Sequence, residues 1–286
     1  MKRLVEGGHF FEGARWHHGF WWVSDLYAGH VLKIAPDGSS KVVTRVEQQP
    51  SGLGWLPDDT LLVVSMLDRK VLRVATDGST SVHADIKSFT GGLANDMATD
   101  SRGHGWVSNL GFDFFAGEAP RPADLVHIAP DGTPSIAASD MLFPNGMVVT
   151  PDDRTLIVAE TFGGRLTAFT IGEEGVLSDR RIWAQLGLVP PWDSMHSLGQ
   201  ADLMPDGCAL DADGCVWMAD AMNARVVKVA ENRGIIAEIK APDGLGAYSC
   251  ALGEADGRQL LICCAPDFDD AKRKEKAEAV LLVTRV

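Results

Sequence analysis

Apolar residues along this chain come in short bursts without sustained helical spacing, and each burst closes on small or polar residues. Trp21-Trp22-Val23 runs into Ser24-Asp25, Leu62-Val63-Val64 into Ser65-Met66, and Trp106-Val107 into Ser108-Asn109. The plan returns as Leu156-Ile157-Val158 with Ala159-Glu160, Val216-Trp217-Met218 with Ala219-Asp220, and Leu261-Ile262 with Cys263-Cys264-Ala265. Ahead of each burst stands a second recurring segment whose first residue carries an oxygen: Glu12-Gly13, Ser51-Gly52, Asn95-Asp96, Asn145-Gly146, Asp206-Gly207 and Ser249-Cys250. Successive openings lie 39, 44, 50, 61 and 43 residues apart, and 49 separate Ser249 from Glu12 when the termini are joined. A near-constant period of this size predicts an all-β fold, a six-bladed β-propeller.

Each unit reads as an opening strand and three more. In the first, residues 20–25, 31–35 and 41–46 are strands, and Pro36-Asp37-Gly38 turns the last two, because Pro presets φ and Gly accepts positive φ. Thr76-Asp77-Gly78 and Pro130-Asp131-Gly132 repeat that turn in the next two units. Each blade is therefore expected to hold four antiparallel strands. The sixth unit is one strand short after residues 279–286, and residues 2–6 form a spare strand. The N-terminal strand is expected to complete the last blade and remove the open edge of the ring.

Composition alters this picture little. A length of 286 residues alone would suggest two domains, but the repeat assigns residues 1–286 to a single propeller domain. A net charge of −13 argues against nucleic acid or an anionic membrane as partner. Neither a basic leader with an apolar stretch nor a run long enough to span a bilayer is present, so the expected location is cytoplasmic. Five cysteines, an odd number, fit reduced thiols, with Cys263 and Cys264 as small core residues. Lys272-Arg273-Lys274 with Lys276 sits among acids and reads as a solvated loop. His17-His18 reads as a surface turn on the face away from the site.

In a propeller the opening strand of every blade lines the central channel. Glu12, Ser51, Asn95, Asn145, Asp206 and Ser249 are then expected at one height, facing one axis: two carboxylates, two amides and two hydroxyls without Arg or Lys among them. Uncompensated carboxylates brought together repel, so a positive partner is expected. Oxygen-only donors favour Ca²⁺, Mg²⁺ or Mn²⁺ over Zn²⁺. Asn-Gly and Asp-Gly are also ordinary turn pairs, yet Asn145 and Asp206 open blades, whereas the Asp-Gly pairs at 37–38 and 131–132 lie between the third and fourth strands. The two longest connections, 110–124 and 186–204, are expected over the channel mouth. They carry Phe112, Asp113, Phe114, Phe115, Trp192, Asp193, Met195 and His196, which suggest an apolar substrate wall or contacts between the two loops.

At Glu12-Gly13, Asn95-Asp96, Asn145-Gly146 and Pro205-Asp206-Gly207, in this order and at blade spacing, the chain resembles the senescence marker protein / gluconolactonase / luciferin-regenerating-enzyme family. The resemblance covers nearly the whole chain. It implies one divalent cation, Ca²⁺ foremost, with Mg²⁺, Mn²⁺ and Zn²⁺ as alternatives, held by Glu12, Asn145 and Asp206. Asn95 would contact the substrate or the metal, and Asp206 would be the catalytic acid/base. Asp113 falls where the sugar-lactone hydrolases carry a substrate-binding glutamate, and Leu93 where they carry an arginine. Loss of that arginine beside an aromatic-rich loop favours a substrate less polar than gluconolactone.

The expected function is thus a metal-dependent lactonase, a carboxylic ester hydrolase acting on a small-molecule lactone or ester. The cation would polarise the carbonyl and Asp206 would handle the proton or attack directly. Asn95, Asp113, Leu93, Phe112, Trp192 and His196 are the expected substrate contacts. Two alternatives use the same residues: phosphotriester hydrolysis, and a non-catalytic Ca²⁺-binding or protein-interaction propeller. Too few protein donors to saturate Ca²⁺, which takes about 6–8, point towards catalysis.

Overall fold

Twenty-four strands, seen in a computed structural model that describes residues 1–254 and 256–286, build six antiparallel sheets of four strands. Blade 1 runs outward through Phe11–His17, Phe20–Asp25, His30–Ile34 and Ser40–Arg45. The inner strands of blades 2 to 6 are Pro50–Trp55, Ala94–Thr99, Pro144–Val149, Pro205–Leu210 and Gly246–Gly253. Each inner strand contacts that of the next blade, and the sixth returns to the first. The ring closes as expected: Lys2–Gly8 pairs antiparallel with Ala279–Arg285 at the outer edge of blade 6, with Lys2 opposite Val283 and Glu6 opposite Val280.

The uninterrupted apolar bursts follow from this architecture. A blade is packed on both faces, so both sets of alternating side chains in its second strand are buried, as in parallel sheets covered on two sides. Val63 joins Trp22 and Val31 of blade 1, while its neighbours Leu62 and Val64 join Met97 and Val107 of blade 3. The buried apolar residues form six clusters: five sit astride junctions between adjacent blades, and the largest joins blades 1 and 6 to residues such as Met66, Phe112 and Phe162 from the other blades. Outermost strands face water on one side and revert to polar sequence, as in Ser40–Arg45 and Thr80–Asp85.

The Asp-Gly turns behave as their chemistry requires. Gly38, Gly78 and Gly132 have φ of 95°, 85° and 93°, and each N–H donates to the carbonyl three residues earlier. One surface expectation needs correction. Lys272 and Lys274 are solvated on the short helix Asp270–Glu275, but Arg273 between them is 1 % exposed. Its guanidinium pairs with Asp267 at 3.1 Å and Glu278 at 2.8 Å, which turns it inward against the ring. All five cysteines are free, with Cys263 and Cys264 buried. Among the described residues no helix is long and apolar enough to cross a membrane.

Candidate active site

All six inner strands slip in register at the same level. The slips fall between Glu12 and Arg15, Pro50 and Leu53, Ala94 and Met97, Pro144 and Met147, Pro205 and Cys208, and Ala247 and Ser249. A bulge sets two residues against one and re-aims a side chain out of the ladder. Ser51, Asn95, Asn145, Asp206 and Tyr248 lie within these slips, Glu12 is paired with Ser24 immediately before its own, and all six line one cavity in the channel mouth. The next position is Gly13, Gly52, Asp96, Gly146, Gly207 or Ser249. A Cβ on Gly52 would lie 2.3 Å from Met97 N, and one on Gly146 would lie 2.5 Å from Asp206 O. Glycine is needed there because the inner strands meet backbone to backbone.

The sixth ring position is therefore Tyr248, not Ser249. The blade 6 segment lacks the glycine that marks this level in four other blades, and its bulge extrudes residue 248. Ser249 sits one layer deeper, fully buried, and its Oγ accepts a hydrogen bond from Ala14 N at 3.3 Å.

Three acids absent from the sequence reading of the site hold this ring in place. Asp25, Glu160 and Asp220 end the second strands of blades 1, 4 and 5, the blades that carry Glu12, Asn145 and Asp206. Asp25 accepts from the His9 and Phe10 N–H groups at 3.1 Å, Glu160 from Leu142 N at 2.6 Å, and Asp220 from Met204 N at 3.2 Å. Each bond fixes the lead-in to a ring residue two or three positions later. Arg165 and Arg225 neutralise Glu160 and Asp220 at 2.8 and 2.9 Å. Their signal in the sequence was an acid closing the second strand in these three blades only.

A relay of hydrogen bonds joins half of the ring. Ser51 Oγ donates to Asn95 Oδ1 at 3.2 Å, and Asn95 Nδ2 to Asn145 Oδ1 at 2.9 Å. Asn145 Nδ2 donates to Thr161 Oγ1 at 3.2 Å, and Thr161 Oγ1 to Pro205 O at 2.7 Å. Among the described residues, the Glu12 carboxylate accepts a hydrogen bond only from its neighbour Gly13 N, at 3.1 Å. Burial pushes the Glu12 carboxyl well above its usual range, and the charges of Asp206 and Asp96 add to this. Asp206 is pushed up to about 8, first by burial and then by Asp96. Burial likewise keeps the phenols of Tyr27 and Tyr248 protonated. Below the ring, Arg15 closes the channel, donating to Asp96 Oδ1 at 2.7 Å and Met97 O at 2.6 Å. Its hydrogen bonds go to Asp96 and Met97, and its charge offsets only a small part of the upward push on Glu12.

Among the described residues lining the cavity there is no Lys, Arg or His. The part-buried Glu12 carboxylate, the buried Asp206 carboxylate and two amides in such a setting match the donor chemistry of a hard divalent cation. Glu12, Asn145 and Asp206, with Asn95 alongside, are the residues able to hold one.

The cavity measures about 140 Å³, and above the ring its walls are almost wholly apolar. Residues following the second strands supply Leu26, Tyr27, Met66, Leu110, Phe162 and Ala221, while Phe10, Phe143 and Met204 come from the lead-ins. Phe114 and Phe115 of the blade 3 loop and Phe268 of the blade 6 loop complete the rim, with Phe115 and Phe268 48 % and 50 % exposed.

Of the expected substrate contacts, Asn95 lines the cavity. Phe112 is wholly buried one layer behind, edge-on to Phe143 at 6.1 Å and to Trp192 at 6.3 Å. Trp192 also packs on Phe162 at 6.1 Å, so both brace the wall without forming it. Leu93 packs into the same cluster from below the surface. Asp113 is exposed and turned aside, its carboxylate accepting from Ala116 N at 3.0 Å. His196 is exposed on the short helix Met195–Leu198, away from the cavity. The long loops do reach the mouth, but residues adjoining the strands form most of its wall.

A ring of inward bulges around an acidic, apolar-walled channel defines a class of six-bladed propellers with a site at one mouth. The SMP-30/gluconolactonase/LRE-like region matches residues 10–265, and the chain belongs to that family. The lactonase drp35 of Staphylococcus aureus strain MW2 is 26 % identical over 222 residues, spanning 73 % of this chain and 62 % of the relative. A 6-deoxy-6-sulfogluconolactonase of Pseudomonas putida is 25 % identical over 247 residues, 84 % of this chain and 77 % of its own. Among solved structures, the calcium-binding protein regucalcin from Agrobacterium tumefaciens superposes with a TM-score of 0.76 at 20 % identity, covering 98 % of this chain and 92 % of its own, a likeness of fold.

Proposed function

We propose that this protein is a metal-dependent hydrolase that opens a lactone less polar than gluconolactone, at the cavity ringed by Glu12, Asn95, Asn145 and Asp206. The observation that carries the reading is the union, in one cavity without a cationic side chain, of the part-buried Glu12 and buried Asp206 carboxylates with a wall of aromatic and aliphatic side chains. The named relatives include lactonases, one of them for a sulfonated sugar lactone. The present cavity has no cationic side chain to meet such a substrate's charge. We assign the cation role to Ca²⁺ first, on the oxygen-only donors, consistent with the calcium-binding neighbour of the same fold.

When bound, the cation would hold both carboxylates ionised and supply Lewis acidity for an ester carbonyl. The chain's own groups do the rest. Asp206 takes a proton from the attacking water and returns one to the leaving alkoxide. Burial raises the proton affinity of Asp206 in the metal-free chain, and beside a bound cation its carboxyl would be drawn back towards the ionised form that accepts the proton of water. Asn95 and the Tyr248 phenol offer hydrogen bonds to the substrate oxygens, and the phenylalanine wall seats the apolar part of the ring.

The test is a panel of lactones from sugar-derived to aryl- and alkyl-substituted, assayed with added Ca²⁺, Mn²⁺ or Zn²⁺ and with chelator. Chelator-sensitive turnover that favours apolar lactones and disappears in Asp206→Asn is the expected result. Turnover confined to phosphotriesters, or none alongside tight metal binding, would overturn it.

A further inference from the structure

At the opposite end of the first inner strand, five residues or about 17 Å along from Glu12, a second constellation joins blades 1 and 2. His17 and His18 occupy the hairpin between the first two strands of blade 1, and Asp59 the corresponding hairpin of blade 2. Nε2 of His17 lies 3.2 Å from Asp59 Oδ1, and Nε2 of His18 lies 2.9 Å from the same oxygen. One potential ligand atom from each residue falls within 4.8 Å of the other two. Among the described residues, His17 Nε2 is buried yet makes no hydrogen bond of acceptable geometry. Two imidazoles aimed at one carboxylate oxygen leave one nitrogen unsatisfied, and a shared cation would resolve this.

We propose that His17, His18 and Asp59 form a second metal site, for a borderline divalent ion of the Zn²⁺ class, that clasps blades 1 and 2 on the face away from the channel. Two nitrogens and one carboxylate oxygen suit Zn²⁺, with water in the fourth position, and discriminate against Ca²⁺. At metal–ligand bonds of about 2.0–2.1 Å a tetrahedral edge is about 3.3 Å, close to the 3.2 Å separation of His17 Nε2 and Asp59 Oδ1.

The surroundings hold the ligands ready. The His17 ring stacks on Trp55 with centroids 4.2 Å apart and planes 16° apart, and its carbonyl accepts from Trp22 Nε1 at 3.2 Å. His18 and Gly19 both have positive φ, at 48° and 80°. A two-residue hairpin of this kind ordinarily takes Asn-Gly, so His18 stands where turn geometry alone favours asparagine. Of the nearby cations, the Lys33 ammonium lies over the Phe20 ring at 3.9 Å, and Arg73 pairs with Asp58 at 3.8 Å.

The experiment is Zn²⁺ titration by calorimetry on chelator-stripped protein in excess Ca²⁺, with thermal melting alongside. Wild type, His18→Asn, Asp59→Asn and Asp206→Asn are compared. His18→Asn restores the usual turn residue, so its fold is retained. Wild type and Asp206→Asn are expected to bind one equivalent of Zn²⁺ that His18→Asn and Asp59→Asn lack, with a Zn²⁺-induced rise in melting temperature that vanishes with it. Equal Zn²⁺ stoichiometry in wild type and His18→Asn, loss of the equivalent in Asp206→Asn, or no Zn²⁺ bound to wild type would each overturn the proposal. Because the Asp206 variant disables the channel site, failure here and failure of the lactonase reading are distinguishable.

Discussion

Replacing Asp206 by Asn should stabilise the metal-free protein, and should do so only above acid pH. In the folded chain without metal the Asp206 carboxyl is pushed from 3.8 up to about 8. Between those values the unfolded chain has released the proton that the folded chain retains. The native state therefore binds more protons, and stability falls as pH rises from about 4 to 8. At 1.36 kcal/mol per pH unit, the roughly three units up to pH 7 set an upper bound of about 4 kcal/mol. Water entry and local relaxation will reduce this figure. Asn keeps the shape without ionising, so the variant escapes the penalty. Relief of the repulsion on Glu12 acts in the same direction. At about 2–4 °C per kcal/mol the variant should melt several degrees higher at pH 7, and no higher near pH 4. Calorimetry in chelator across pH 4–8 reads this directly. Excess Ca²⁺ should reverse the order, since only wild type retains both carboxylates. A melting difference constant across pH, or a wild type that gains stability relative to the variant between pH 5 and 8, would refute the reasoning.

Other perturbations separate the parts of the site. Asp220→Asn loosens the Met204 N–H that precedes Asp206, and should weaken metal binding about 10–100-fold by calorimetry with an unchanged circular dichroism spectrum; unchanged affinity would show the anchor to be dispensable. Arg15→Met strands Asp96, 4 % exposed, and should cost about 3–5 kcal/mol in urea unfolding. Phe268→Ala trims a half-exposed rim residue and should lower kcat/KM for an aryl lactone about tenfold, or about 1.4 kcal/mol, with little change for a sugar lactone. Deleting residues 1–8 leaves Ala279–Arg285 as an open edge, so size-exclusion chromatography should show association and the melting point should drop.

Blade number, the Asp-Gly turns and closure by the N-terminal strand were legible along the chain, because each depends on local periodicity. A blade buried on both faces must carry continuous apolar strands, and a turn at positive φ must carry Gly. The same repeat placed Glu12, Asn95, Asn145 and Asp206 in one cavity, since equivalent positions of equivalent units face one axis. Tyr248 escaped because its bulge lacks the glycine marker, and a shift of one residue exchanges the channel for the layer beneath.

What only the tertiary structure decided lies in contacts between units and in loop conformation. Asp113 lies in an irregular loop and His196 on a single helical turn within the other long connection, where blade spacing carries no direction, and both turn to solvent. Phe112 and Trp192 are apolar enough for a wall, but packing put them behind Phe143 and Phe162. The anchoring of the ring by Asp25, Glu160 and Asp220 depends on how each lead-in folds back within its own blade, whereas the plug of Arg15 on Asp96 and the meeting of His17 and His18 with Asp59 join residues of different blades. Periodicity fixes the position of a residue within its own blade, whereas the partner it meets depends on how neighbouring blades pack.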